Sequence, residues 1–212
     1  MTAPLRLVVY DATQLTREPR LLGHSWRVGA RLYRLRGIDD SFGAGTFEAA
    51  FAWLERMQRP IGELQFWGHG KWGRALVDRQ SWDRGALGVT HPLRRGLDAL
   101  RERLAPGALI WFRTCETFGA LPGRDFARSL ADFTGATVAG HTFEIGFFQS
   151  GLHALAPGAE PAWDAREGLL QGSPERPLLA QASRPDAPST ITCLTTRLPR
   201  EIAATATSSR AA

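Results

Sequence analysis

Apolar and polar positions along the first two thirds of this chain follow two different periods. Continuous apolar runs predict buried strands at residues 5–10 (LRLVVY), 63–67 (ELQFW) and 136–140 (ATVAG), and within the stretch 108–119 (ALIWFRTCETFG). Between these runs, apolar residues at helical spacing predict helices that begin near residues 46 and 90 and a third through residues 125–133. Strands alternating with helices predict an α/β fold, in which helices cover both faces of a mostly parallel sheet.

Other stretches carry weaker signals. Residues 16–29 favour an irregular helix, residues 30–36 (ARLYRLR) a more exposed second strand, and residues 37–45 a loop. Residues 74–82 (RALVDRQSW) alternate as a small hairpin does. After Thr142 the periodicity fades into segments rich in proline and glycine. We therefore expect one domain over residues 1–180, followed by an arm and a disordered tail over residues 181–212.

Two of the predicted strands end on chemically capable side chains. The strand at 63–67 is followed by His69 and Gly70, and the strand in the 108–119 stretch ends at Cys115. Sites in parallel sheets form at the carboxyl ends of the strands, so these residues are expected to meet. An imidazole suits the removal of a thiol proton near neutral pH, and the sequence therefore predicts a His69–Cys115 dyad.

Gly70 adds to this hypothesis because it has no side chain to obstruct a substrate carbonyl. Its N–H, together with that of Cys115, is expected to form an oxyanion hole. The chemistry needs neither a metal nor a cofactor, and His24, His91, His141 and His153 show no metal-ligand spacing.

Length and composition restrict the class of protein. The 212 residues suffice for one domain with a large core, and no apolar run approaches the length of a membrane span. The N-terminus lacks the pattern of a signal peptide, and the two cysteines favour a reducing compartment over a disulfide framework. These features predict a cytoplasmic protein that does not enter membranes.

The chain is basic, with a formal net charge of +5. Twenty-six basic residues include a single lysine, Lys71, and the arginines are scattered through every segment. A nucleic-acid site would gather them on one face, so this scatter argues against nucleic-acid binding.

The spacing of the two motifs carries a resemblance. A strand followed by His-Gly, and about 50 residues later a strand followed by Cys, resembles the arrangement in caspases, metacaspases, clostripain-like peptidases, separases and CHAT domains. The segments LQFWGHGKWGRALVD, IWFRTCETFGALPGRDFARSLADFTGATVAG and PAWDAREG are similar to a bacterial family of caspase-like domains of unknown function. The resemblance covers residues 5–168 and implies a caspase-like three-layer sandwich. It also implies cysteine endopeptidase activity on protein or peptide substrates, with His69 and Cys115 as the dyad.

The sequence departs from the caspase pattern around the nucleophile. Where caspases have Q-A-C-x-G, this chain has Arg113, Thr114, Cys115, Glu116 and Thr117. Arg113 would repel a basic substrate side chain and pair with an acidic one, which leans the expected specificity weakly toward acidic residues. Against this, the carboxylates of Asp11, Asp78 and Glu116 could reach the same pocket.

Three alternatives stay open at this stage. Each of the two motif residues could be an ordinary core residue, and Trp72 could be a packing residue or the wall of a substrate groove. The protein could be a caspase-fold binding or scaffold module without turnover. The third and weakest alternative is a basic nucleic-acid-associated protein. Because the chain carries no recognisable sensor or adaptor domain, regulation of an active enzyme would have to come from a partner or neighbouring protein.

Overall fold

The computed structural model describes residues 2–13 and 21–208. Its helices are α1 (Leu21–Arg34), α2 (Phe47–Glu55), α3 (Arg94–Arg103), α4 (Ala120–Thr134) and α5 (Arg200–Ser208). Its strands are β1 (Leu5–Asp11), β2 (Asp40–Ala44), β3 (Ile61–Trp67), β4 (His69–Lys71), β5 (Arg74–Val77), β6 (Gln80–Asp83), β7 (Leu104–Arg113), β8 (Thr137–His141), β9 (Phe148–Gln149), β10 (Leu152–Leu155), β11 (Leu169–Gly172), β12 (Pro177–Ala180) and β13 (Ile191–Thr192).

Six strands form the central sheet in the order β10-β8-β7-β3-β1-β2. All neighbours in this sheet are parallel except β10, which runs antiparallel to β8. This confirms the predicted α/β fold with a mostly parallel sheet. Because parallel neighbours need crossover connections, helices fill the space over the sheet.

One face of the sheet carries the larger apolar core. Its strand residues alternate inward, as a pleated strand requires, and are fully or nearly fully buried: Leu7, Val9, Leu64, Phe66, Ile110, Phe112 and Val138. They pack with apolar residues of α2, α3 and α4, among them Phe47, Phe51, Leu54, Leu97, Leu100, Phe126 and Leu130. The opposite face carries a smaller cluster in which Val8 and Trp67 meet Ala30 and Tyr33 of α1. Helices thus lie on both faces, as a three-layer arrangement requires.

Local signals account for the helix ends. The side chain of Thr46 accepts a hydrogen bond of 3.1 Å from the N–H of Ala49 and so caps α2, as its sequence predicts. Helix α4 ends at Gly135, whose φ of 69° is a left-handed conformation that glycine adopts without a Cβ penalty.

The predicted strand at residues 30–36 is wrong, since residues 30–34 belong to α1. The buried positions Ala30 and Tyr33, with the partly buried Trp26, follow helical spacing, whereas Leu32 and Leu35 remain 54% and 84% exposed. These two exposed leucines lie close to the buried Ala30 and Tyr33 in sequence, so the segment resembles the alternating pattern of a strand. Residues 16–20 of the helix predicted at 16–29 lie outside the described residues.

The predicted loop at residues 37–45 is wrong over β2. Asp40–Ala44 pairs in parallel with β1 and forms an edge strand of the central sheet. Its aspartate, serine and glycine residues are typical of loops, but an edge strand tolerates them because one side faces no neighbouring strand.

The hairpin predicted beside the site is confirmed as part of a three-stranded antiparallel sheet, β4-β5-β6. Trp82 anchors this sheet to the core. Its ring centroid lies 5.3 Å from that of Phe51 and 5.1 Å from that of Phe112. The hairpin that begins at His69 is therefore fixed to the sheet by a buried aromatic contact.

The C-terminal segment, residues 181–208, packs against the rest of the chain. Strand β13 pairs with β9, and the carbonyls of Ser189 and Ala206 accept hydrogen bonds from the N–H groups of Leu152 and Ala156. These bonds lie along the outer edge of β10. Residues 209–212 lie outside the described residues.

Within the described parts of the chain, none of the helices combines the length and apolar character that crossing a membrane requires.

Candidate functional site

His69 and Cys115 leave the central sheet at the same level, on neighbouring parallel strands. The register of β3 and β7 pairs Trp67 with Arg113. His69 and Cys115 each follow these paired residues by two positions, and both are half-buried. The structure therefore brings the two residues predicted as a dyad to adjacent strand ends.

Gly70 fits against the turn that carries Cys115. A Cβ placed on Gly70 would lie 2.5 Å from the carbonyl oxygen of Cys115 and would also collide with the hydroxyl of Thr117. Real Cβ atoms do not approach that closely, so only glycine fits here without moving the turn. The close approach ties the His69 hairpin to the Cys115 turn.

Two buried threonine hydroxyls form hydrogen bonds within the turn that carries Cys115. The side chains of Thr114 and Thr117 are fully buried and hydrogen-bonded to one another, and Thr117 Oγ1 also donates to the carbonyl of Cys115 at 3.2 Å. The N–H of Gly73 donates to the carbonyl of Thr117 at 2.9 Å. Each bond connects the turn after β7 to itself or to the hairpin that begins at His69.

Trp26 of α1 contacts the imidazole of His69. The two rings meet edge to face, with centroids 5.4 Å apart and an interplanar angle of 77°. This contact limits the orientations open to the imidazole. Sequence reasoning missed Trp26, because nothing in a weakly periodic helix 43 residues upstream indicates contact with His69.

The thiol of Cys115 is protonated at neutral pH in this conformation. Burial raises its pKa to about 11, and the carboxylates of Glu116 and Glu144 add to the rise, while a backbone hydrogen bond at Ile145 and the charge of Lys71 oppose it. Its Sγ lies 3.9 Å from the carbonyl oxygen of Ile145. The thiol would need a base, or a change in its surroundings, to react as thiolate.

Glu116, directly after Cys115, is almost completely buried and has a left-handed backbone with φ of 31°. Its N–H donates to the carbonyl of Phe143 at 2.9 Å, which holds this uncommon conformation in place. Its Oε1 lies 3.2 Å from the ammonium of Lys71. Burial, together with Glu144, raises the pKa of Glu116, and Lys71 opposes that shift.

The other predicted pocket residues differ in whether they adjoin the Cys115 turn. Trp72 is half-buried beside Lys71, and its ring packs against Gly119 at the start of α4. Asp11 is buried at the end of β1, two strands away from β7, and binds the N–H and hydroxyl of Thr13. Asp78 is exposed in the turn between β5 and β6. Of these three, only Trp72 adjoins the Cys115 turn.

The structure removes the basis for assigning Arg113 to a substrate pocket. Its guanidinium is buried on the α1 face of the sheet and donates to Gln149, Tyr33 and the carbonyls of Thr192 and Thr195. A guanidinium has five N–H donors, and all five are used in these bonds. No donor is left for the acidic substrate side chain on which the weak specificity prediction depended.

A second cluster supports the Cys115 turn from the α4 side, and no local pattern in the sequence connects its members. The indole N–H of Trp163 donates to the carbonyl of Phe118 at 3.0 Å, and its ring stacks on Phe118 and on His153. His153 Nε2 lies 2.7 Å from Glu167 Oε1. The PAWDAREG segment, noted only through the resemblance, is thus part of this support.

Among the described residues, no group of three or more His, Cys, Asp or Glu side chains is arranged to hold a metal ion. Both cysteines are free thiols. The arrangement that remains is a histidine and a cysteine at adjacent strand ends, with a buried carboxylate beside the thiol.

Comparison of the chain with protein-family models, with curated proteins and with solved structures found no match in any of the three.

Proposed function

We propose that this protein is a cysteine endopeptidase in which His69 and Cys115 form the catalytic dyad. The observation that carries the proposal is the register of β3 and β7, which places the two residues at equivalent positions beyond adjacent parallel strands. The mostly parallel sheet with helices on both faces is compatible with the caspase-like sandwich that the sequence resemblance implies.

In the proposed reaction His69 accepts the proton of Cys115, and the thiolate attacks the carbonyl carbon of the scissile peptide bond. The backbone N–H groups of Gly70 and Cys115 stabilise the oxyanion. When the tetrahedral intermediate collapses, the C–N bond breaks and the imidazolium of His69 gives its proton to the leaving amine. Water, deprotonated by His69, then hydrolyses the thioester and restores the thiol.

The resting conformation bears on how the activity would be controlled. With the pKa of Cys115 at about 11, little thiolate is present at neutral pH. Contact of Sγ with the carbonyl of Ile145 must give way when a substrate carbonyl arrives. We therefore propose that substrate or an activating partner protein moves the loop at residues 143–147. A free thiol nucleophile favours the cytoplasm as the compartment of action.

The second candidate is a caspase-fold binding or scaffold module that does not turn over substrate. The observation that favours it is the same burial of the Cys115 thiol, which leaves the nucleophile neutral in the described conformation. Such a module would retain a peptide groove and the surrounding turn, but its thiol would stay unreactive.

A peptidyl acyloxymethyl ketone separates the two candidates, because it labels a cysteine that has been activated within a substrate groove. An active dyad predicts labelling of Cys115 but not of Cys193, and a strong loss of labelling in the His69→Ala variant. Equal labelling of both cysteines, or labelling unaffected by His69→Ala, would contradict the dyad. Labelling of Cys115 without cleavage of any peptide would favour the binding module.

A further inference from the structure

The surroundings of Glu116 contain a cation site that Lys71 fills only in part. The ammonium of Lys71 lies 3.2 Å from Glu116 Oε1, while Glu116 Oε2 is buried and has no hydrogen-bond partner among the described residues. A buried carboxylate oxygen without a partner is costly, so this site can still gain a donor.

The geometry of an ammonium explains why one oxygen stays unpaired. Lysine presents a compact point charge, whereas a guanidinium presents two parallel N–H donors that match both oxygens of a carboxylate. The chain has 25 arginines, as 26 basic residues less one lysine, yet the single lysine stands at this carboxylate. An arginine at position 71 would be suited to satisfy both oxygens; the lysine leaves the second one open.

Lys71 is also placed so that it can leave. Its side chain is 39% exposed, whereas that of Glu116 is only 5% exposed and lies beneath it. The lysine stem is flexible, so the ammonium can move into solvent at modest cost. Its departure would uncover the carboxylate from the solvent side.

Trp72 supplies a second element of a cation site. The ammonium of Lys71 lies 5.6 Å from the centroid of the Trp72 ring, a distance at which a cation is attracted to an aromatic face. A planar guanidinium stacks on such a ring as well as pairing with a carboxylate. Trp72 has φ of 22°, so its backbone, like that of Glu116, is held in a conformation that most residues avoid.

We propose that Glu116 and Trp72 form a subsite for an arginine side chain of the substrate, and that Lys71 occupies this subsite until the arginine displaces it. The inference rests on the proposed peptidase function. Cys115 and Glu116 are consecutive residues, and a single bound arginine residue can therefore place its guanidinium on Glu116 and its backbone near the thiol. The preference for arginine replaces the weak acidic preference expected from Arg113.

Direct binding tests the subsite without relying on turnover. The Cys115→Ala protein is titrated with Nα-acetyl-arginine methylamide and with the citrulline analogue, which has the same shape but no charge, and binding is followed by calorimetry. A bidentate charged pair predicts that the arginine compound binds at least about tenfold more tightly than the citrulline compound. Equal affinity for the two compounds, or no measurable binding of the arginine compound, would overturn the subsite.

Two further variants in the Cys115→Ala background assign the effect to named residues. Lys71→Met removes the competing ammonium and keeps the apolar stem, so it should tighten arginine binding several-fold. Glu116→Gln should abolish the preference over citrulline. The matched control is Glu160→Gln, which removes a carboxylate from an exposed pair with Arg128 and should change neither affinity.

Thermal unfolding of each variant shows whether a loss of arginine binding comes from misfolding. If Glu116→Gln does not fold, the Lys71→Met result decides: unchanged or weaker arginine binding would contradict the displacement. Failure of the peptidase proposal is recognised separately, by absence of Cys115 labelling with the peptidyl ketone. Labelling that depends on His69, combined with equal binding of arginine and citrulline, would remove the subsite and leave the dyad.

Discussion

The guanidinium of Arg113 and the hydroxyl of Tyr33 are hydrogen-bonded beneath the C-terminal segment, and both also bind the carbonyl of Thr195. The guanidinium further donates to Gln149, and it lies 4.7 Å from the centroid of the Trp111 ring. Through these contacts a charged residue of the central sheet connects α1, strand β9 and residues 192–195. The pair therefore holds the C-terminal segment in place.

Replacing Arg113 with methionine should destabilise the protein by on the order of 3 kcal/mol, because several buried acceptors lose charge-assisted hydrogen bonds. Urea unfolding measures the loss. Limited proteolysis should also cut earlier within residues 181–198 of the variant. The matched control is Arg128→Met at an exposed ion pair, for which a change within about 0.5 kcal/mol is expected. Equal effects of the two substitutions would contradict the structural role of Arg113.

His141 makes the fold sensitive to mild acid. It is fully buried, its Nδ1 lies 3.1 Å from the carbonyl of Ser150, and its Nε2 has no partner among the described residues. Burial lowers the pKa of His141 from 6.5 to about 3, so between these values the unfolded chain binds a proton that the folded chain does not. The free energy of unfolding should then fall by about 1.4 kcal/mol per pH unit below pH 6.5.

The measurement is urea unfolding between pH 7 and about 5.5, a range chosen because ordinary glutamates, with a pKa of about 4.3, titrate mainly below it. A His141→Gln variant cannot take up the proton and should lose most of this slope. An identical slope in the variant would show that another group causes the acid sensitivity.

The Cys115 thiol should react slowly with a small electrophile at neutral pH. Its pKa of about 11 predicts that the rate of alkylation by iodoacetamide keeps rising with pH well beyond the range of an ordinary cysteine. Mass spectrometry distinguishes Cys115 from Cys193. A plateau of the Cys115 rate near pH 7 would mean that the thiolate is already stabilised in the resting protein.

The raised pKa of Cys115 should also make the protein lose stability in alkali. The folded pKa of about 11 lies above the ordinary value of 9.0, so the folded state retains a proton that the unfolded chain releases. The contribution of this group to stability is complete below pH 9 and is lost as the pH rises through 11. A Cys115→Ala variant should lose less stability than the wild type over this range.

Gly70 should not tolerate even a methyl group. In Gly70→Ala the new Cβ would collide with the carbonyl of Cys115 and with Thr114 and Thr117, which forces the hairpin and the turn apart. We expect loss of Cys115 labelling by the peptidyl ketone and destabilisation of about 1–3 kcal/mol, the range typical of overpacking. Gly45→Ala is the control, since a Cβ there meets nothing within 4 Å. Full labelling of Gly70→Ala would contradict the assigned packing.

The central elements of the fold could be predicted from the sequence because their signals are local. Continuous apolar runs such as residues 63–67 are typical of strands buried on both faces, and the Thr46 cap marks the start of α2. The edge strand β2 and the C-terminal part of α1 could not be predicted in this way. Both are only partly buried, so their apolar and polar positions do not follow a buried pattern. Pairing of β13 with β9 depends on residues more than 40 positions apart, which no local pattern reveals.

In the candidate site, too, some residues could be placed from local sequence patterns and others could not. His69, Gly70 and Cys115 follow predictable strands, so their positions could be inferred. The role of Arg113 could not, because its partners come from α1 and from a segment about 80 residues downstream. The pairing of Lys71 with Glu116 likewise depends on how a hairpin folds over the turn after β7.

The most direct test of the proposed peptidase is cleavage of a peptide library by the wild-type protein and by Cys115→Ala, each prepared in the same way. A peptidase with Cys115 as its nucleophile should show cleavage by the wild type, enriched next to arginine, and none by Cys115→Ala. Cleavage of the same peptides at the same rate by both proteins would contradict the assignment of Cys115 as the nucleophile.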